Sequence, residues 1–283
     1  MKAMWKLSNY FFVWMARRNF LWTLLLTLGA AGINLLANAF PQAGGESDMV
    51  PHFAESFRSY EMILDKSLIW LYFAVGLLLV FWMILWHARS YSTNGKEIYT
   101  LYTLPMKREE VYFAFLLSGA ALILLYFLAW LIFVVAVYAP MMSNYAKTAA
   151  EEVFRVSPDL TISGLDATRT NGLYLAFQRC AWLYVAFPSN PARLLFVVSG
   201  MLLILASLIY AGFCPVEAFE RVAAVIAGVF FPLFCIVRVL WLHGTFGAQT
   251  EVGSALISGL CCLILAIVII WRSVVMVRKC YTL

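Results

Sequence analysis

Catalytic chemistry needs ionisable or nucleophilic side chains gathered at short spacing, and this chain supplies few of them. Its three histidines, His52, His87 and His243, are separated by long apolar runs, and no HExxH or Cys/His spacing accompanies them, so no metal site is expected. The nearest approach to a phosphate-binding loop, Asn94-Gly95-Lys96-Glu97, lacks both the glycine spacing and the hydroxyl after the lysine, and no GxSxG nucleophile motif occurs. Of the cysteines, Cys235, Cys261 and Cys262 lie inside apolar runs, Cys214 and Cys280 at the ends of runs, and Cys180 alone in a segment expected to face outside. With no CxxC pair, neither a disulfide framework nor a redox centre is expected.

Two features remain. Arg238 is the clear ionisable residue inside an apolar run, six positions after Pro232. It reads either as a side chain that snorkels to headgroups or as a contact for an anionic substrate or lipid. The other feature is the polar stretch from Tyr91 to Glu110. There Asn94-Gly95 makes a turn, and Lys96 to Leu104 forms a short helix with Ile98, Leu101 and Tyr102 on one face. Pro105 stops that helix, and Glu109 and Glu110 open the next one, where carboxylates complement free backbone amides. A short amphipathic helix between two spans is either a lever that a partner pushes or a connector lying on the membrane surface.

Composition identifies the scaffold that must position these residues. Hydrophobic residues make up 64% of the 283 and charged ones 12%, with a mean hydropathy of +0.85, well outside the range of water-soluble domains. The apolar residues come in runs near 20 long, as a bilayer core of about 30 Å requires of a helix. The expected spans are 20–40, 67–88, 111–139, 194–213, 221–241 and 252–272, within one membrane domain covering 1–283. Ahead of them, Met4, Leu7, Phe11, Trp14 and Met15 share a helical face opposite Lys6, Asn9, Val13 and Arg17. Residues 1–19 therefore read as an interfacial elbow helix, or as an extension of the first span. Charge flanks the apolar residues on both sides and no small-residue cleavage site follows, so this is not expected to be a signal peptide.

Charge then sets the expected orientation. Segments 89–110 and 214–221 with both termini carry Lys2, Lys6, Arg17, Arg18, Arg89, Lys96, Lys107, Arg108, Arg221, Arg272, Arg278 and Lys279. The opposite segments carry Arg58, Lys66, Lys147, Arg155, Arg169, Arg179 and Arg193 among many carboxylates. The excess of cations puts both termini in the cytoplasm, and Trp22, Trp82, Trp86 and Trp271 near one interface with Trp70 and Trp241 near the other agree. Because these cations cap apolar runs and form no stripe, they do not point to nucleic acid. The outer segment 140–193 contains an apolar aromatic stretch, 173–187, too short for a seventh crossing and expected as an interfacial or re-entrant helix. Pro232 is expected to bend the fifth span, and Ser254 with Ser258 and Ala255 with Gly259 to allow close helix approach on the sixth.

The run Gly-Lys-Glu-Ile-Tyr-Thr-Leu-Tyr-Thr-Leu-Pro-Met-Lys-Arg, from Gly95 to Arg108 after the second span, resembles permease subunits of bacterial ATP-binding-cassette type 2 exporters. In that family a Leu-Pro-x-Lys/Arg-Arg-like sequence holds the same place. The rest of the chain is similar in outline: an elbow helix, six spans, both termini inside and no nucleotide site. The resemblance implies an all-α membrane protein of the bacterial cell membrane, non-catalytic itself. It implies that Lys96, Glu97, Ile98, Leu101, Tyr102, Leu104, Lys107 and Arg108 contact a separate ATPase, which would hold the ATP and Mg. It also implies a second permease subunit, identical or not, and outward movement of an amphipathic or hydrophobic peptide, drug or lipid. One departure stands out: family members carry re-entrant outer helices between the fifth and sixth spans, where residues 242–251 are too few. The rival expectation is a membrane scaffold or sensor subunit that recruits a cytoplasmic partner without transporting. An intramembrane enzyme or secondary transporter is disfavoured by the near absence of charge in the spans.

Overall fold

The computed structural model describes residues 2–39, 60–93, 107–156, 172–214, 217–246 and 248–279, and among these the chain is all helix and turn. Six helices are long and apolar enough to cross a membrane: Met4–Ala37, Ile69–Ser90, Arg108–Met141, Pro191–Phe213, Phe219–Val239 and Glu251–Arg278. Each matches an expected span to within a few residues at nearly every end, because length and apolarity are what lipid demands of a segment. The first of them merges the elbow with the first span. Helix α1, Lys2–Met15, continues through a π-helical segment, Ala16–Phe20, into α2, Leu21–Ala39.

The remaining elements are α3, Tyr60–Lys66; α4, Ile69–Thr93; α5, Arg108–Val156; α6, residues 172–179; α7, Ala181–Ala186; α8, Pro191–Phe213; α9, Ala218–Phe246; and α10, Ala248–Lys279. Helix α5 outruns its expected span by more than four turns, passing through Pro140. The stretch 173–187 forms two short helices broken at Cys180, so it makes no seventh crossing. Between α9 and α10 only residue 247 intervenes, which leaves no room for a re-entrant element there.

The chain groups into two compact units. In the first, residues 1–24, 77–126 and 188–283, helix α8 is the centre. Asn190 caps it by accepting from the Ala192 amide at 2.9 Å, a contact worth about 1 kcal/mol, and Pro191 sits in the first turn, where its missing donor costs nothing. From Leu203 to Cys214 every residue is buried. Lipid provides no hydrophobic drive between helices, so such burial rests on small residues that let backbones approach. A methyl added at Gly212 would come within 2.7 Å of Ala88 Cβ, and one at Gly259 within 3.0 Å of Phe196 Cα. One at Gly228 would fall on Ser207, whose hydroxyl donates to Leu203 O at 2.8 Å. Pro232 is buried inside α9, against Gly200.

The second unit, residues 25–76 and 127–187, is built on rings. Phe73 meets Phe127, Trp130 and Trp182 with centroids between 5.4 and 5.5 Å apart. Tyr60 donates its hydroxyl to Val134 O at 2.6 Å and sets its ring edge-on to Tyr138. Burial drives the Tyr60 pKa upward, so its proton stays on this bond. The α3–α4 turn places Leu68 at φ 49°, a left-handed conformation that costs a non-glycine residue roughly 1 kcal/mol, and Asn34 anchors it by donating to Ser67 O at 2.6 Å. Cys180, expected to be exposed on the outer segment, is instead fully buried, and its thiol donates to Asp65 Oδ1 at 3.1 Å. Burial first and that carboxylate second raise the thiol pKa, so it is a weak nucleophile.

Candidate functional site: the two stalks of the connector

The connector that carries the sequence motif leaves α4 at Thr93 and enters α5 at Arg108. Its residues Lys96, Glu97, Ile98, Leu101, Tyr102 and Leu104 lie outside the described residues. Lys107 is exposed, and its carbonyl accepts the Glu110 amide at 2.9 Å, closing the first turn of α5. Arg108 is half-buried beside it. Glu109 and Glu110 occupy that turn as expected, where negative charge offsets the positive helix end.

The α5 stalk is tied to α8 and α10, and the α4 stalk to α8. At the α5 stalk, Arg278 Nη2 donates to Glu109 Oε2 at 2.6 Å, joining it to the end of α10. Tyr112 is fully buried beside the Phe213 ring at 6.3 Å, and Phe115 beside the same ring at 6.1 Å. At the α4 stalk, Ala88 and the Arg89 backbone face Gly212 of α8 at a separation that leaves no room for a methyl group. His87 is buried there; its Nδ1 pairs with Met83 O at 2.7 Å, and the Trp14 ring stands edge-on to it at 4.4 Å. Helix α1 rests on the same region, with Phe11 against Phe115 and the Ser8 and Ser118 hydroxyls 3.1 Å apart.

A polar cluster ties the three last helices together near this end. Tyr210 of α8 donates to Glu220 Oε1 of α9 at 2.9 Å, and Arg272 of α10 reaches both, through Nε to the Tyr210 hydroxyl at 3.2 Å and through Nη2 to the Glu220 carboxylate. The charged contacts fix the register of these helices, and the glycine contacts fix their distance. Among the described residues no three His, Cys, Asp or Glu side chains come together as ligands for a metal would.

Arg238, the cation singled out within a span, is exposed on α9, among the exposed Phe230, Leu233, Phe234 and Val237. Two charged residues that sequence reasoning left in loops matter more inside the fold. Arg193 of α8 and Glu251 of α10 are buried and pair through two contacts, Nε to Oε1 at 2.8 Å and Nη2 to Oε2 at 3.2 Å. Their signal was faint: a cation in the first turn of a helix, where the backbone dipole disfavours it. With this geometry in view, comparison with family models, with curated proteins and with solved structures finds no match. The class defined by the fold is therefore an all-α, multi-pass membrane protein.

Proposed function

We propose that this chain is the transmembrane permease subunit of an ATP-binding-cassette type 2 exporter in a bacterial cell membrane. Its termini and connector face the cytoplasm, and it pairs with a second permease subunit around a substrate path. The observation that carries the reading is the anchoring of both connector stalks: one is tied to α10 through Glu109 and Arg278, the other abuts α8 at Gly212. A connector built in this way is a lever. A cytoplasmic ATPase, which holds the nucleotide and the Mg, closes on nucleotide binding and presses the segment 96–104, where the sequence pattern leads one to expect a short helix. The stalks pass that displacement to α8 and α10, and the paired permeases open a path outward for an amphipathic or hydrophobic peptide, drug or lipid. This chain contributes no bond-breaking chemistry.

The test replaces Ile98, Leu101 and Tyr102 together with Asp, which puts charge on the face expected to enter a groove of the ATPase. The ATPase is expected to lose both co-purification and stimulation by the permease, at normal permease expression. Retained ATPase binding with retained transport would overturn the coupling assignment. Partner binding with no transport in any variant, the native chain included, favours the scaffold reading. An ATPase reading frame beside the gene is the cheapest supporting observation.

A further inference from the structure

Around the π-helical segment of the first long helix, no carboxylate among the described residues forms an ion pair with the cations. No Asp or Glu precedes Glu46, while Lys6, Arg17 and Arg18 are all exposed. Elsewhere Arg179, Arg193, Arg272 and Arg278 each have a glutamate partner, but among the described residues none pairs with Arg17 or Arg18. The π-helical segment Ala16–Phe20 also changes how these side chains fan out. Successive residues turn by less in a π-helix than in an α-helix, which brings the directions of positions 17 and 18 closer together. Arg18 is held in place: its Cζ sits 5.8 Å from the Trp14 ring centroid, and Trp14 is itself set against buried His87.

Depth and surroundings point to a lipid. Arg17 and Arg18 directly precede the apolar run that begins at Phe20, the place expected of cations where a span meets the headgroup layer. Trp5, Tyr10 and Trp22 are 59%, 60% and 66% exposed around them, as in the aromatic belts at that depth. Leu21 and Leu25 expose apolar surface just beyond. A soluble anion would satisfy the guanidiniums and leave that surface bare, whereas a phospholipid places its phosphate on the forked donors and its acyl chains along the leucines.

We propose that Arg17 and Arg18, on the Trp14 platform, form a binding site for the phosphate headgroup of an anionic phospholipid. The site stands independently of the exporter reading. The test uses the full-length protein released from membranes, incubated with equal amounts of phosphatidylglycerol and phosphatidylcholine, with bound lipid counted by native mass spectrometry. The native chain retains phosphatidylglycerol preferentially. Arg17→Gln with Arg18→Gln is expected to weaken that retention about thirtyfold, and each single substitution about fivefold, the latter serving if the double variant fails to fold. Trp14→Leu, which keeps both charges, is expected to show a partial loss, and Arg179→Gln, at a cation already paired with Glu61, none. Three results would each overturn the site: equal retention of the two lipids by the native chain, no change in the Arg17 and Arg18 variants, or an equal loss in Arg179→Gln. Release of the lipid by millimolar inorganic phosphate would assign the site to a soluble anion and overturn it as well.

Discussion

At the scale of single residues, the pair formed by Arg193 and Glu251 sets the strongest constraint. Glu251 is fully buried and Arg193 9% exposed, so each charge has left its water and depends on the other. Glu251 also lies in the first turn of α10, where the helix end favours a carboxylate, whereas Arg193 lies in the first turn of α8, where it is disfavoured. The arginine is therefore the costlier member to orphan. Glu251→Ala is expected to lower the unfolding free energy by about 3–5 kcal/mol, because it strands that guanidinium, and Arg193→Met with Glu251→Leu to recover most of the loss. Denaturant titration in mixed micelles reads both, and a double variant no better than Glu251→Ala would show that the pair does more than compensate its own burial. The pair also shows where sequence reading runs out. Arg238 drew attention because it interrupts an apolar run, yet the fold turns it outward. Arg193 and Glu251 looked like loop charges, since a partner 58 positions away leaves no local pattern. Cys180 misled for the same reason: its burial depends on the fold around Asp65, and its place in the outer segment 140–193 suggested exposure.

At the scale of elements, the spans were legible and their packing was not. A bilayer imposes a length and an apolarity on every crossing, and both can be read along the chain, so all six spans were located. No such demand acts beyond the membrane, which is why the extension of α5 to Val156 left no comparable mark. The small-residue pairs expected on the last span were apt, since Ser254, Ala255, Ser258 and Gly259 are all buried and Gly259 meets the Phe196 backbone. The richer set on α8, including Ser207, Ala211 and Gly212, carried the same signal and marks the helix at the centre of its unit. Backbone approach at Gly212 gives an element-level prediction. Gly212→Ala drives a methyl into Ala88 and the Arg89 backbone, neither of which can rotate away, at an expected cost of about 1–3 kcal/mol. Gly29→Ala, with nothing within 4 Å, is expected to be neutral or mildly stabilising. Thermal unfolding in detergent compares the two directly. Equal midpoints would mean that α4 and α8 are not in close contact.

At the scale of the whole molecule, parity and charge together decide what the connector can reach. Six crossings, an even number, would return the chain to the side from which it started and put the two termini and the connector after the second span on one face of the membrane. Parity leaves open which face that is. The proposed orientation rests on the cations: those at the termini and connector outnumber those on the opposite segments, the bias that short cytoplasmic segments carry. The proposed exporter depends on this choice, because an ATPase fed by cytoplasmic ATP can press only a cytoplasmic connector. A single cysteine placed at Lys2, at Lys279 or at Lys66, in a chain whose native cysteines are replaced, separates the two faces. With a membrane-impermeant maleimide on intact cells, Lys66→Cys is expected to be labelled, and Lys2→Cys and Lys279→Cys only after permeabilisation. Labelling of both terminal positions on intact cells would invert the topology and remove the lever from its only source of force. Labelling of just one would break the parity argument, requiring an odd number of crossings and a new assignment for one of the six helices.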